Sequence, residues 1–119
     1  MTCIYVPDLG HCPPRKPVFF HPAARVEIQE MSRTVRKQLG GLLDQLQRGH
    51  ALRMPHSRPM PIVALGVEEL RVKDESGQYR AFVVRKTPRG IAVLHVFNKK
   101  SRKTPGGAIE LARRRLKEI

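Results

Sequence analysis

Glu68-Glu69-Leu70-Arg71-Val72-Lys73 alternates in a way that places Leu70 and Val72 on one face of a strand and Glu69, Arg71 and Lys73 on the other. Asp74-Glu75-Ser76-Gly77 follows and reads as a turn. Gln78 to Lys86 is a second strand, Thr87-Pro88-Arg89-Gly90 a second turn, and Ile91-Ala92-Val93-Leu94-His95-Val96-Phe97-Asn98 a third strand. Three strands joined by short turns make an antiparallel meander.

Beyond the meander the chain turns helical. Thr104 is the expected N-cap and Pro105 the first helical residue, and Ile109, Ala112, Leu116 and Ile119 form an apolar stripe at helical spacing. Arg113, Arg114, Arg115 and Lys117 lie toward the C-terminal end, where they complement the helix dipole. Before the meander, Val18-Phe19-Phe20 suits a short strand between prolines. Pro22 favours helix entry, and Val26, Val35, Leu39, Leu42, Leu43 and Leu46 recur at three- and four-residue intervals up to Gly49. The pattern slips at Ser32 to Thr34, both N-cap residue types, so a helical hairpin fits better than one rod. Residues 49–66 carry Pro55, Pro59 and Pro61 and read as an irregular connection. Residues 1–17 hold four prolines and read as an extended leader outside the core. The predicted fold class is α+β: a small antiparallel sheet with an N-terminal helical hairpin and a C-terminal helix, in one domain over residues 18–119.

Charge points to a partner. The chain of 119 residues has 23 Lys+Arg against 10 Asp+Glu, a formal net charge of +13. No acidic residue occurs between Glu75 and Glu110, while Lys99, Lys100, Arg102 and Lys103 crowd the end of the third strand. Such a cluster repels itself unless an anion neutralises it, and a nucleic acid backbone is the natural anion. Aromatics make up 5% of the chain and Trp is absent, which argues against a single-strand binder built on several stacked rings. No apolar run reaches membrane-spanning length and no secretory h-region is visible, so a cytoplasmic protein is expected. Cys3, His11 and Cys12 supply three potential metal ligands without a fourth, at a spacing uncommon for zinc. Free thiols and no metal or cofactor are the expectation.

Four segments carry a family resemblance: Glu69-Leu70-Arg71-Val72; Gly77-Gln78-Tyr79-Arg80-Ala81-Phe82; Val93 through Lys100; and Lys103-Thr104-Pro105 followed by Ile109-Glu110-Leu111-Ala112-Arg113. In order and spacing they resemble the phage-related HigB-type toxins of the RelE/ParE superfamily over residues 18–119. The resemblance implies a RelE/ParE-like fold and the toxin of a bacterial type II toxin-antitoxin module. It implies an mRNA interferase, a ribosome-associated endoribonuclease that needs no metal and leaves a 2′,3′-cyclic phosphate. The implied partners are mRNA, the ribosome and a helix-turn-helix antitoxin. A ParE-like toxin that poisons DNA gyrase without nuclease activity is the rival reading, and a degenerate phage-derived nucleic-acid binder the third. The chain departs from the family at Val83, where an aromatic is common, at Arg102, and in its longer leader.

Cleavage by a neighbouring 2′-hydroxyl needs a proton acceptor, positive charge around the phosphorane and a donor to the leaving oxygen. Arg71 and Arg80, on adjacent strands, can supply bidentate charge; alternatively they hold Glu68 or Glu69 in surface pairs. Lys99, Lys100 and Lys103 are candidates for proton transfer, a lysine among cations being easier to deprotonate, or for phosphate attraction alone. Lys73, Arg85, Lys86, Arg89 and Arg102 are expected to bind RNA. His95, in register with Val93 and Phe97, reads as packed and hydrogen-bonded. Tyr79 is assigned to the core, Phe82 to the core or to a base, and His50 and His56 stand in the irregular connection as untethered acid-base candidates.

Overall fold

The computed structural model describes residues 16–100 and 105–119. The leader with Cys3, His11 and Cys12, and the segment with Arg102, Lys103 and Thr104, lie outside the described residues. Element order is β1 (Val18–Phe20), α1 (Pro22–Gln29), α2 (Arg33–Gln47), β2 (Ser57–Pro59), β3 (Val67–Asp74), β4 (Gly77–Thr87), β5 (Gly90–Lys99) and α3 (Gly106–Lys117). The five strands form one sheet in the order β1-β5-β4-β3-β2. The predicted meander is its centre, antiparallel throughout; β1 joins β5 in parallel, so the sheet is mixed at that edge.

The helical hairpin forms where the pattern slips: Ser32 caps α2, its Oγ accepting from the Val35 amide at 3.2 Å. Ser32 also donates to Asp74 Oδ2 at 2.6 Å, which ties the start of α2 to the β3–β4 turn. Val35, Leu39, Leu42, Leu43 and Leu46 pack on Leu70, Val72, Tyr79, Ala81, Val83, Ile91 and Val93, one face of the sheet. The opposite face, with Val67, Phe82, Val84, Ala92 and Leu94, is covered by Ala108 and Ala112 of α3 and by Met60 and Val63. Removing water from both faces supplies the main driving force for folding.

Four expectations change. Val26, read as part of the apolar stripe, is 53% exposed, because Ala24 turns toward the core instead. The connection 49–66 contains β2, whose three residues pair with β3 despite Pro59; a proline is tolerated on an edge strand. Helix α3 starts at Gly106 with Pro105 as N-cap and no side-chain cap, one residue later than expected, and Ile119 lies past its end. His95 is not in register with Val93. A bulge leaves Leu94 unpaired between the partners Val83↔Val93 and Phe82↔His95, so Leu94 and His95 share the α3 face.

One glycine is required by contact. Gly90 closes the β4–β5 turn at φ 114°, and a Cβ there would meet the Pro17 carbonyl oxygen at 2.4 Å. That close approach lets Pro17 accept from the Ile91 amide at 2.8 Å and align β1 on β5.

Candidate active site

Arg71 and Arg80 are cross-strand partners. Directly opposed residues hold their Cβ atoms about 5 Å apart, and two like charges so placed destabilise a sheet unless something neutralises them. Glu69 does so. Two residues before Arg71 on the same strand face, it is 0% exposed, and its Oε1 lies 3.6 Å from Arg80 Nε, 3.8 Å from Arg71 Nε and 4.0 Å from Arg58 Nε. These are ion-pair distances, beyond hydrogen-bond length. Arg58 reaches the carboxylate because β2 pairs it with Glu69 in register. Three guanidinium groups therefore converge on one buried carboxylate, and the assembly keeps a net positive charge.

Arg80, 4% exposed, is the most constrained of the three: Nη1 donates to its neighbour's carbonyl, Tyr79 O, at 3.0 Å, and Nη2 to Gln78 Oε1 at 2.8 Å. Burial lowers its pKa, the Arg71 cation lowers it further and Glu69 opposes, yet a guanidinium remains charged. Arg71 rests Nη1 on Met54 Sδ at 3.4 Å. Lys99, in register with Gln78, joins the cluster from β5. Burial pushes its ammonium below the usual lysine pKa, Glu69 opposes, and Arg80, Arg71 and Arg58 push it down further.

Beside this cluster a pocket of about 290 Å³ is lined by Arg71, Arg80, Lys73, Gln78, His56 and Gln38. Gln38 holds the backbone of Lys73 from both sides, donating to its carbonyl at 2.7 Å and accepting from its amide at 3.2 Å. His56 accepts the Arg71 amide at its carbonyl, 2.8 Å away, and is an exposed residue of the pocket lining.

The sequence candidates divide into two groups. Arg71, Arg80, Lys73 and Lys99 gather at one end of the sheet, and Lys100 is exposed just beyond β5. Arg85, Lys86 and Arg89 sit at the other end: Arg85 is five positions beyond Arg80, about 17 Å along a strand. There Arg85 Nε pairs with Glu68 Oε2 at 3.2 Å, and Arg89 covers the Phe19 ring at 4.2 Å. Of the two readings of Arg71 and Arg80, the ion pairing is present, with Glu69 and around a buried carboxylate instead of at the surface.

The remaining candidates fall as their environments dictate. Tyr79 and Phe82 are core residues, and the Phe82 ring packs on Phe97 at 5.3 Å. His50 is exposed and does not line the pocket. His95 is packed and hydrogen-bonded: its ring stacks on Phe97 at 4.8 Å and Nδ1 lies 2.9 Å from Glu27 Oε1. Glu27 also accepts from Arg115 at 2.8 Å and from the Val96 amide at 3.1 Å, where β5 extends past the end of β1. Burial alone would raise the Glu27 pKa, but these hydrogen bonds from His95, Arg115 and Val96 outweigh it and leave it at about 2.

Sequence reasoning missed Glu69 as the organiser and Arg58 as a member. Alternation places Glu69 beside Arg71 but does not report that this face is covered, and nothing in the Pro-rich segment marks Arg58 as a strand residue. Among the described residues no cluster of metal-ligating side chains is present.

Residues 26–117 match the family model described as phage derived protein Gp49-like. No curated protein matches the sequence. Among solved structures, a doubly substituted mutant of the E. coli toxin RelE in the free state superposes with a TM-score of 0.50 over 88% of this chain and 98% of that one. The two are 20% identical, so the likeness is one of fold. With the family match running from α1 to the end of α3, this chain belongs to the phage-derived Gp49-like family and carries a RelE-like α+β fold.

Proposed function

We propose that this chain is a RelE-type toxin, HigB-like in its module, that cleaves messenger RNA at the ribosome without a metal. The carrying observation is the opposed Arg71–Arg80 pair, held on buried Glu69 together with Arg58 and flanked by Lys99. A preorganised set of cations at one point suits a phosphorane, whose negative charge grows as the nucleophile attacks. The guanidinium groups offer paired donors to its equatorial oxygens.

In this reading Lys99 accepts the 2′-hydroxyl proton, a role that its lowered pKa favours. The 2′-oxygen bonds to phosphorus, the bond from phosphorus to the 5′-oxygen breaks, and His56 at the rim protonates the departing oxygen. The products are a 2′,3′-cyclic phosphate and a 5′-hydroxyl. Lys73 and Lys100 hold neighbouring phosphates, and Lys103 and Arg102 extend the same basic run in sequence. A helix-turn-helix antitoxin is the proposed protein partner, and the cytoplasm the proposed location. No helix among the described residues is long and apolar enough to cross a membrane.

Induction in bacteria followed by primer extension on abundant transcripts tests the reading. New 5′ ends should appear within the first round of sampling, and cleavage by the purified protein on ribosomes should persist in EDTA. Intact transcripts with double-strand DNA breaks would instead select the gyrase-poisoning rival, and neither effect would leave a nucleic-acid binder without catalysis.

A further inference from the structure

At the end of the sheet away from Arg80, the structure holds a second concave surface of different character. A groove of about 440 Å³ runs between the β4–β5 turn, the connection before β3 and the C-terminal end of α3. Its floor and walls are Phe19, Val84, Leu65, Leu116 and Ile119, and Lys86 and Arg89 stand among them. Leu65 is 90% exposed, and nearby Ile62 is 56% exposed. Exposed large apolar side chains next to one groove mark a binding surface more often than a solvated one.

The groove is also held in shape. Arg113 of α3 donates Nε to Ile62 O at 3.0 Å, and its Nη2 contacts the same carbonyl, so the segment carrying Leu65 is anchored to the helix. Gly90 locks the opposite wall against Pro17. A preformed groove spares a partner part of the ordering cost.

Two classes of partner could meet these cations, and the surroundings choose between them. RNA without sequence-specific pairing gains affinity from phosphate contacts and from stacking on aromatic faces. The single ring here, Phe19, has a face covered by the Arg89 guanidinium at 4.2 Å, and Arg85 is engaged with Glu68. Leucine, isoleucine and valine offer a base nothing to stack on. An amphipathic protein segment, by contrast, buries apolar anchors in such a floor and places carboxylates against the rim.

We propose that this groove docks an acidic amphipathic segment of another protein, its apolar side chains against Leu65, Val84 and Leu116 and its carboxylates against Lys86 and Arg89. Docking here leaves the arginine pocket open, because the two lie at opposite ends of β4. The interaction is independent of RNA cleavage and survives if the nuclease reading fails.

Fluorescence anisotropy with a labelled synthetic helix tests it, the helix carrying leucines at i, i+3, i+4 and i+7 and glutamates elsewhere. A peptide of the same composition with scattered leucines and a labelled oligouridylate serve as competitors. The striped peptide should bind, the scattered one and the RNA should fail to displace it, and Leu65→Asp should weaken binding by about tenfold or more. Leu65 is exposed, so this change leaves the fold intact, which circular dichroism checks. As a second variant, Lys86→Glu should weaken the same peptide and restore binding to a leucine–lysine counterpart. Equal binding of both glutamate peptides, displacement by the RNA, or indifference to Leu65→Asp and Lys86→Glu would overturn the proposal. So would self-association in sedimentation that Leu65→Asp abolishes, since a second copy of this chain would then be the occupant.

Discussion

The two ends of β4 carry similar charge and do different things with it. At Arg80 the cations stand over a fully buried carboxylate, and their geometry is set by Glu69, Gln78 and the register of three strands. At Arg85 to Arg89 the cations are dispersed: one pairs with Glu68, one lies on Phe19, and the apolar floor between them is open. The difference is one of constraint: a buried counter-charge fixes the guanidinium groups around Glu69, whereas the cations at the other end stand beside an open apolar floor.

Substituting the two glutamates is the strongest way to break this contrast. Glu69→Gln leaves the opposed arginines without their carboxylate, and removing one partner of a buried charge set costs about 3–5 kcal/mol. Thermal unfolding should shift down by more than about 10 °C. Glu68→Gln, at the dispersed end, should cost about 1 kcal/mol or less. Similar losses in both would mean that Glu69 is no organiser.

Arg80→Lys sharpens the same contrast in function. The charge stays but the planar fork is lost, so the cleavage rate should fall by about 10²–10³-fold while RNA or ribosome binding stays near normal. Arg89→Ala should remain toxic on induction. A loss of activity in proportion to binding in both variants would reduce the arginine pocket to a phosphate-binding patch.

Midway between the ends, under α3, the Glu27–His95–Arg115 network predicts an acid sensitivity belonging to neither. The Glu27 carboxyl titrates near 2 in the folded chain against 4.5 as its ordinary value. Its folded pKa is depressed, so the stability it contributes is complete above pH 4.5 and is lost as pH falls toward 2. Discounted for the solvent that reaches this partly exposed carboxyl, the total is on the order of 2 kcal/mol. Denaturant titrations across that window should show the loss, and Glu27→Gln should flatten it.

The smallest effect belongs to Arg89 itself. An exposed cation over a ring contributes about 0.5–1 kcal/mol, so Arg89→Ala should lower stability by that amount. The salt dependence of RNA binding should stay unchanged if, as proposed, the groove takes a protein segment and no phosphate. A salt slope reduced by about one would instead return Arg89 to the RNA-binding set.

Legible in the residues alone were the meander, the helical hairpin with its break at Ser32 to Thr34, the terminal helix and the placing of Arg71 and Arg80 on adjacent strands of one face. Each follows from short-range rules: alternation fixes the face of a strand residue, turn residues fix where strands reverse, and a two-turn meander then fixes which residues oppose one another. What lies under those residues emerged from packing. Whether Glu69 is a surface partner or a buried organiser depends on β2 closing the sheet edge and delivering Arg58, a pairing between segments with no periodicity to announce it. The groove beside Lys86 and Arg89 rests on where the end of α3 brings Leu116 and Ile119, and only packing reveals the bulge that turns Leu94 and His95 to the same side. Burial and long-range pairing are collective outcomes of packing, so residues far apart in the chain settle them together.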